Sequence, residues 1–209
     1  MWALQAQNAT NTTPPTTNPE ANELKGMPPR STPGDYAAHA KVGDYTIALE
    51  YAGHNVPRPE DPLTTEDFVV IEAAVYGPAG SHLTLSPHNF ELHINDKKPM
   101  TSSSFVLVAS SLRDPEWIPP EQLQKKEKPK TSFGGGGGED TATLPPKIPI
   151  ELQRKMTRYI RDAALPEGDR PLPVAGLLFF PYRGKTQSIH LLELIYSGPA
   201  GKAVVPLQP

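Results

Sequence analysis

The chain has 209 residues, including 26 prolines and no cysteine, with 37% hydrophobic residues and a formal net charge of -3. So many prolines exclude a mostly helical protein, because each interior proline breaks a helix. The charge, with a pI near 6.1, leaves no basic surface for general nucleic-acid binding. Without cysteine there is no disulfide, thiol nucleophile, Cys-ligated zinc or iron–sulfur cluster, and no apolar run reaches the roughly 18 residues of a membrane-spanning helix.

The first residues, MWALQAQ, form a short apolar piece ending in small side chains, as at the cleavage end of a secretory signal lacking its basic and apolar parts. Residues 8–35 are Thr, Asn and Pro with little to bury, so residues 1–35 are expected to be a disordered tail. Asn8-Ala9-Thr10 and Asn11-Thr12-Thr13 match the N-glycosylation pattern, which a Thr/Asn-rich stretch also produces by chance. A single domain is expected over residues 36–209.

Residues 42–51 alternate, with Tyr45, Ile47, Leu49 and Tyr51 on one face and Thr46, Ala48 and Glu50 on the other. A polar loop with Pro57, Pro59 and Pro62 follows. Residues 68–76 (FVVIEAAVY) read as a strand buried on both faces. The tetrapeptide Gly77-Pro78-Ala79-Gly80 recurs as Gly198-Pro199-Ala200-Gly201, and both copies suit type I turns. Phe90, Leu92 and Ile94 alternate with Glu91, His93 and Asn95, and Phe105-Val106-Leu107-Val108 reads as a further strand.

Residues 113–146 are polar and rich in proline and glycine, and they read as a flexible insertion. One helix follows over residues 149–164. Pro149 suits its start, Glu151 complements the dipole, and Leu152, Met156, Tyr159, Ile160 and Ala163 form an apolar stripe. Residues 175–205 then read as a β-hairpin, two apolar arms joined at Arg183-Gly184-Lys185-Thr186, with Gly184 supplying the positive φ of a tight turn.

Catalytic and cofactor signatures are missing. The glycine run 134–138 leads into Glu139-Asp140, which would repel a phosphate, and no Lys-Ser/Thr follows it. No Gly-x-Ser-x-Gly elbow occurs, and Asp67, Glu72, Glu91 and Glu193 are spread over strand faces where solvent or local pairing is the default. His88 and His93 are oddly spaced and point to opposite faces of a strand, while His39, His54, His82 and His190 show no ligand spacing. No catalytic, cofactor or metal residue is therefore assigned. Candidate partner contacts are Trp117, set among prolines, and the cationic helix face of Arg154, Arg158 and Arg161 beside Lys155.

The order of these signals resembles a group of small exported bacterial immunoglobulin-like domains of unknown function, found in lipoproteins and secreted antigens. The resemblance lies in Gly43-Asp44-Tyr45-Thr46-Ile47, in residues 68–75 and in the LTLSPHNFEL segment at 83–92. The late apolar runs at 176–180 and 191–196 complete it. It implies an immunoglobulin-like antiparallel β-sandwich with no catalytic residues to carry over. The chain departs from the group in the insertion and helix between Arg113 and Asp169, and in having no cysteine to carry a lipid.

The expectation is thus a mostly β, immunoglobulin-like sandwich with one helix in a long insertion before the last hairpin. Its expected role is that of an exported, periplasmic or secreted, non-enzymatic interaction or structural module of the bacterial envelope, with a protein partner there. A carbohydrate or small-ligand binder is the alternative, with Tyr36, Tyr51, Tyr76 and Tyr182 as candidates, and a histidine-based metal carrier comes after it.

Overall fold

The computed structural model describes residues 25–117 and 148–209. The regular structure of the described residues is mostly antiparallel strand. The first four are β1 (Ala38–Val42), β2 (Tyr45–Gly53), β3 (Asn55–Val56) and β4 (Leu63–Thr65). Then come β5 (Phe68–Tyr76), β6 (His82–Leu85), β7 (Phe90–Ile94) and β8 (Met100–Thr101). A short helix, α1 (Phe105–Ala109), precedes β9 (Leu112–Arg113), and the long helix α2 (Ile150–Ala163) follows. The chain closes with β10 (Gly168–Pro171), β11 (Val174–Pro181), β12 (Leu192–Gly198) and β13 (Gly201–Pro206).

Two four-stranded antiparallel sheets carry the fold. The first has the order β1-β2-β5-β11 and the second β13-β12-β7-β8. Alternation decides which side chains they share, because successive residues of a strand point to opposite faces. Ile47 and Leu49 of β2, Val69 and Ile71 of β5, and Leu178 and Phe180 of β11 project from one face of the first sheet. They meet Phe90, Leu92 and Ile94 of β7 and Leu192, Leu194 and Tyr196 of β12 in one buried cluster.

The other face of the first sheet is apolar as well. Val70, Leu177 and Phe179 are covered there by Met156, Ile160 and Ala163 of α2, by Val56, Leu63 and Leu112, and by Val108 of α1. The three short strands β3, β4 and β9 form a small sheet of their own, as do β6 and β10. The stripe predicted for the helix is thus the side that α2 buries, while Pro149, expected as its first residue, caps the helix from just outside it.

The last two apolar runs do not form a hairpin. β11 pairs with β5 in the first sheet, whereas β12 pairs with β7 and β13 in the second. Residues 182–191 between them are too many for a tight turn, and they are held at both ends. Tyr182 donates its backbone N–H to the Asp67 carbonyl at 2.8 Å. At the other end the Asn95 side-chain oxygen accepts from His190 and Leu191 at 2.9 and 3.1 Å. Gly184 does not adopt a positive φ. A Cβ there would meet the Tyr182 ring at 2.5 Å, so the glycine makes room for a packed phenol.

Three further expectations change. Residues 42–51 are not one strand: Gly43, at φ +61°, reverses the chain between β1 and β2. Phe105 to Val108 lie in the helix α1, whose Val106 and Leu107 are exposed. Such a short apolar run has no period that separates helix from strand. The tail boundary also moves, because Met27 already bonds to Ala175 at 2.8 Å and Arg30 is engaged on the first sheet. The earlier tail residues and most of the Pro/Gly-rich insertion lie outside the described residues. The two Gly-Pro-Ala-Gly copies do turn the chain, the first out of β5 and the second as the β12–β13 connection.

Tyr51 belongs to the shared core by position, yet its hydroxyl is buried with no partner among the described residues. Burial, with Tyr182 next in effect, pushes the phenol up to about 12 from 10.0. Because the folded pKa is raised, the neutral phenol's contribution is complete below about pH 10 and fades as pH rises through about 12. Tyr51→Phe removes an unpaired polar atom and should raise stability by about 1 kcal/mol in urea unfolding. The same variant should lose an absorbance step near pH 12 in a tyrosinate titration.

Candidate functional site

The strand β5 reads FVVIEAAVY, and Glu72 is its single charged residue. It lies on the outer face, one side chain away from Val70 and Ala74, and the residue is 6% exposed. Its cross-strand neighbour on β2 is another carboxylate, Glu50. Like charges placed directly opposite are unfavourable, and a buried carboxylate without a partner costs several kcal/mol. Arg30 answers both. Its Nη1 donates to Glu50 Oε2 at 2.9 Å and its Nη2 to Glu72 Oε2 at 3.1 Å.

Arg30 is held from all sides. Nη1 also donates to the Asp35 carbonyl at 2.6 Å, and the guanidinium carbon lies 4.4 Å from the centre of the Tyr36 ring. The Arg30 backbone N–H donates to the Tyr36 hydroxyl at 3.2 Å, and the Tyr76 hydroxyl donates to the Arg30 carbonyl at 2.7 Å. Burial works against the charged guanidinium, but Glu72 and then Glu50 outweigh it and raise the Arg30 pKa. Burial raises the phenols of Tyr36 and Tyr76 as well, with the neighbouring Tyr36 phenol adding to the rise at Tyr76.

Beside this cluster a cleft of about 520 Å³ opens. One wall is the segment Gly26, Met27, Pro28 and Arg30. The opposite wall is the loop Pro57, Arg58 and Pro59 together with Tyr159, Asp162 and Ala163 of α2, and Glu72 lines it from the sheet. The Tyr159 hydroxyl donates to the Pro57 carbonyl, tying helix to loop. Arg58 pairs with Asp114 at 3.4 Å and Arg161 with Asp162 at 2.7 Å. The volume lies in the range of about 300–1,000 Å³ usual for small-molecule sites, and the mixture of apolar walls with a few polar groups is usual too.

The sequence-named candidates are placed elsewhere. Trp117 is half-buried in a turn that its backbone N–H closes on the Asp114 carbonyl at 3.1 Å. Arg154 is exposed and pairs with Glu151 at 3.0 Å, and Arg158 is exposed on the same side of α2. Of these cations Arg161 comes nearest the cleft, through Asp162. The four tyrosines divide. Tyr36 and Tyr76 stand edge to face at 6.3 Å on the outer side, whereas Tyr51 and Tyr182 pack in the core between the sheets. Both ring nitrogens of His54 face backbone carbonyls, those of Phe68 and Gly184, while His93 meets Glu193 at 3.2 Å. Among the described residues no three His, Asp or Glu side chains gather as a metal would require, and no helix is long and apolar enough to cross a membrane.

Arg30, Glu72 and Tyr159 were missed as site residues for identifiable reasons. Arg30 sits in a proline-rich stretch that looks unstructured, and Tyr159 looks like ordinary stripe. Glu72 did carry a signal: a carboxylate within a strand apolar on both faces demands a cation from elsewhere.

No protein-family profile and no curated protein matches the chain in sequence. Among solved structures, a presumptive lipoprotein (ycdA) from Bacillus subtilis aligns with 83% of this chain at 14% identity and a TM-score of 0.37. The chain spans 38% of that protein's length.

Arg30→Met should cost about 2 kcal/mol in denaturant unfolding, because it leaves Glu72 buried without its cation. The double variant Arg30→Met with Glu72→Gln should recover at least half of the loss. Additive effects in that cycle would mean that the two side chains are not coupled.

Proposed function

We propose that this chain is a non-enzymatic small-ligand binding module built as an immunoglobulin-like sandwich, working outside the cytoplasm of a bacterium. The observation that carries the binding role is the 520 Å³ cleft, walled by Met27, the Pro57 and Pro59 loop and Tyr159, and set over the buried Glu72 and Arg30 pair. Its walls come from three separate stretches of chain, so it is held open by the fold itself. The sandwich assignment is supported by two four-stranded antiparallel sheets with a common core. The extracytoplasmic location is supported by the Thr/Asn/Pro-rich stretch that precedes the domain. The non-enzymatic reading is supported by the cluster itself, where Glu50 and Glu72 are both engaged on one guanidinium rather than poised as acid and base.

A second reading, a protein-interaction module, is favoured by the apolar side chains left in water on the two helices. Val106 and Leu107 of α1 and Ile150 of α2 are 62%, 60% and 58% exposed.

Screening a chemically mixed fragment set by amide NMR separates these readings. Binding fragments should move the Gly26, Arg30 and Ala163 resonances, with no fragment converted to product over hours. Responses confined to Val106, Leu107 and Ile150 would favour the interaction module instead, and turnover of any fragment would overturn the non-enzymatic assignment.

A further inference from the structure

The charges around the cleft do not balance, and this bears on what it binds. Arg58 pairs with Asp114, with Asp61 and Glu116 in the same charged group, and Asp162 pairs with Arg161. Arg30, by contrast, serves two carboxylates, Glu50 and Glu72, so among the described residues one negative charge of that cluster has no counterpart. Of the two, Glu72 is the one that lines the cleft, where its residue is 6% exposed. In such a half-dry site a charge acts more strongly than it does in water. A carboxylate offers about four acceptor positions; Arg30 reaches Glu72 through a single Nη2–Oε2 contact and the Tyr36 hydroxyl also lies against it, which leaves room for a further donor. The remaining lining is largely apolar: Met27, Pro28, Pro57, Pro59, Ala163 and the Tyr159 ring.

We propose that the cleft selects small organic cations, compounds with an ammonium head that donates to Glu72 and an apolar body that lies between Met27, Pro57 and Tyr159. The proposal rests on the cleft being a ligand site. An anion of the same size would lie against Glu72, and Arg30, whose single charge is already shared by two carboxylates, offers it little net attraction. A neutral ligand would fill the apolar walls but leave the unmatched charge as it was. The ammonium head removes that imbalance, and this is the source of the selectivity.

Three probes of one shape test it: phenylbutylamine, phenylbutanol and phenylbutyrate, each titrated into the full-length protein near neutral pH. The amides of Gly26, Arg30 and Ala163 report binding. The amine should bind about tenfold more tightly than the alcohol, as expected for one extra charge interaction a few ångströms away in a partly dry site, and the acid should bind most weakly.

Glu50→Gln supplies the second arm, because Glu50 does not line the cleft and its amide oxygen can still accept from Arg30. In that variant the amine should fall to within about twofold of the alcohol, while alcohol binding, which reports an intact cleft, stays unchanged. Equal binding of amine and alcohol by the wild type, or tighter binding of the acid, would overturn cation selection and leave the ligand site standing. An amine preference that survives Glu50→Gln would overturn the unmatched charge as its origin. If none of the three probes moves the cleft amides, cation selection is overturned and the cleft loses its standing as the binding site.

Discussion

The constraint on which the structure depends is that the first sheet is apolar on both faces, so it has to be covered twice. Along β5, Val69 and Ile71 look one way and Phe68 and Val70 the other, and β11 does the same with Leu178 and Phe180 against Leu177 and Phe179. Each such side chain contributes about 2 kcal/mol when removed from water, so neither face can be left open. The second sheet covers one side. The other is closed by smaller pieces: α2, α1, the three-stranded sheet of β3, β4 and β9, and the segment from Met27 onward. β11 stands last in its sheet, but its free edge is occupied. Met27 and Leu165 donate to its carbonyls at Ala175 and Leu177, and Ser103 donates to that of Phe179.

Glu72 breaks this pattern within β5, and its consequences spread outward. A carboxylate in the middle of a two-faced strand needs a cation, and none is available from the neighbouring strands, where Glu50 lies opposite. The cation comes from Arg30, far away in sequence. To place it, the chain before β1 has to run along the outer face of the sheet, fixed by the Tyr36 and Tyr76 hydroxyls and by the Met27 bond. That course makes one wall of the cleft, and α2 with the Pro57 loop makes the other. The ion pair and the cleft are therefore two results of one burial problem. The polar floor of the site is held by the same contacts that hold the fold.

What could be read from the residues was what depends on near neighbours in the chain. The two-sided character of β5, the alternation of β7, the turn at Gly198-Pro199-Ala200-Gly201 and the buried stripe of α2 are all local patterns, and each is present at its expected place. The apolar run at Phe105 was too short to declare a period, and it became a helix. The β-sheet content, the antiparallel pairing and the long helix α2 were likewise within reach of the sequence.

What tertiary structure alone decided was which strand lies beside which. Two apolar arms with a glycine between them look like a hairpin, yet β11 and β12 belong to different sheets, because Asp67 and Asn95 capture the two ends of the connecting segment. Arg30 looked like tail until Glu72 required it. A side chain's direction along one strand follows from the alternation of a few adjacent residues, so the sequence determines it. A strand's partner, and a buried charge's counterion, follow from contacts between residues far apart in the chain, which exist only once the whole core has closed.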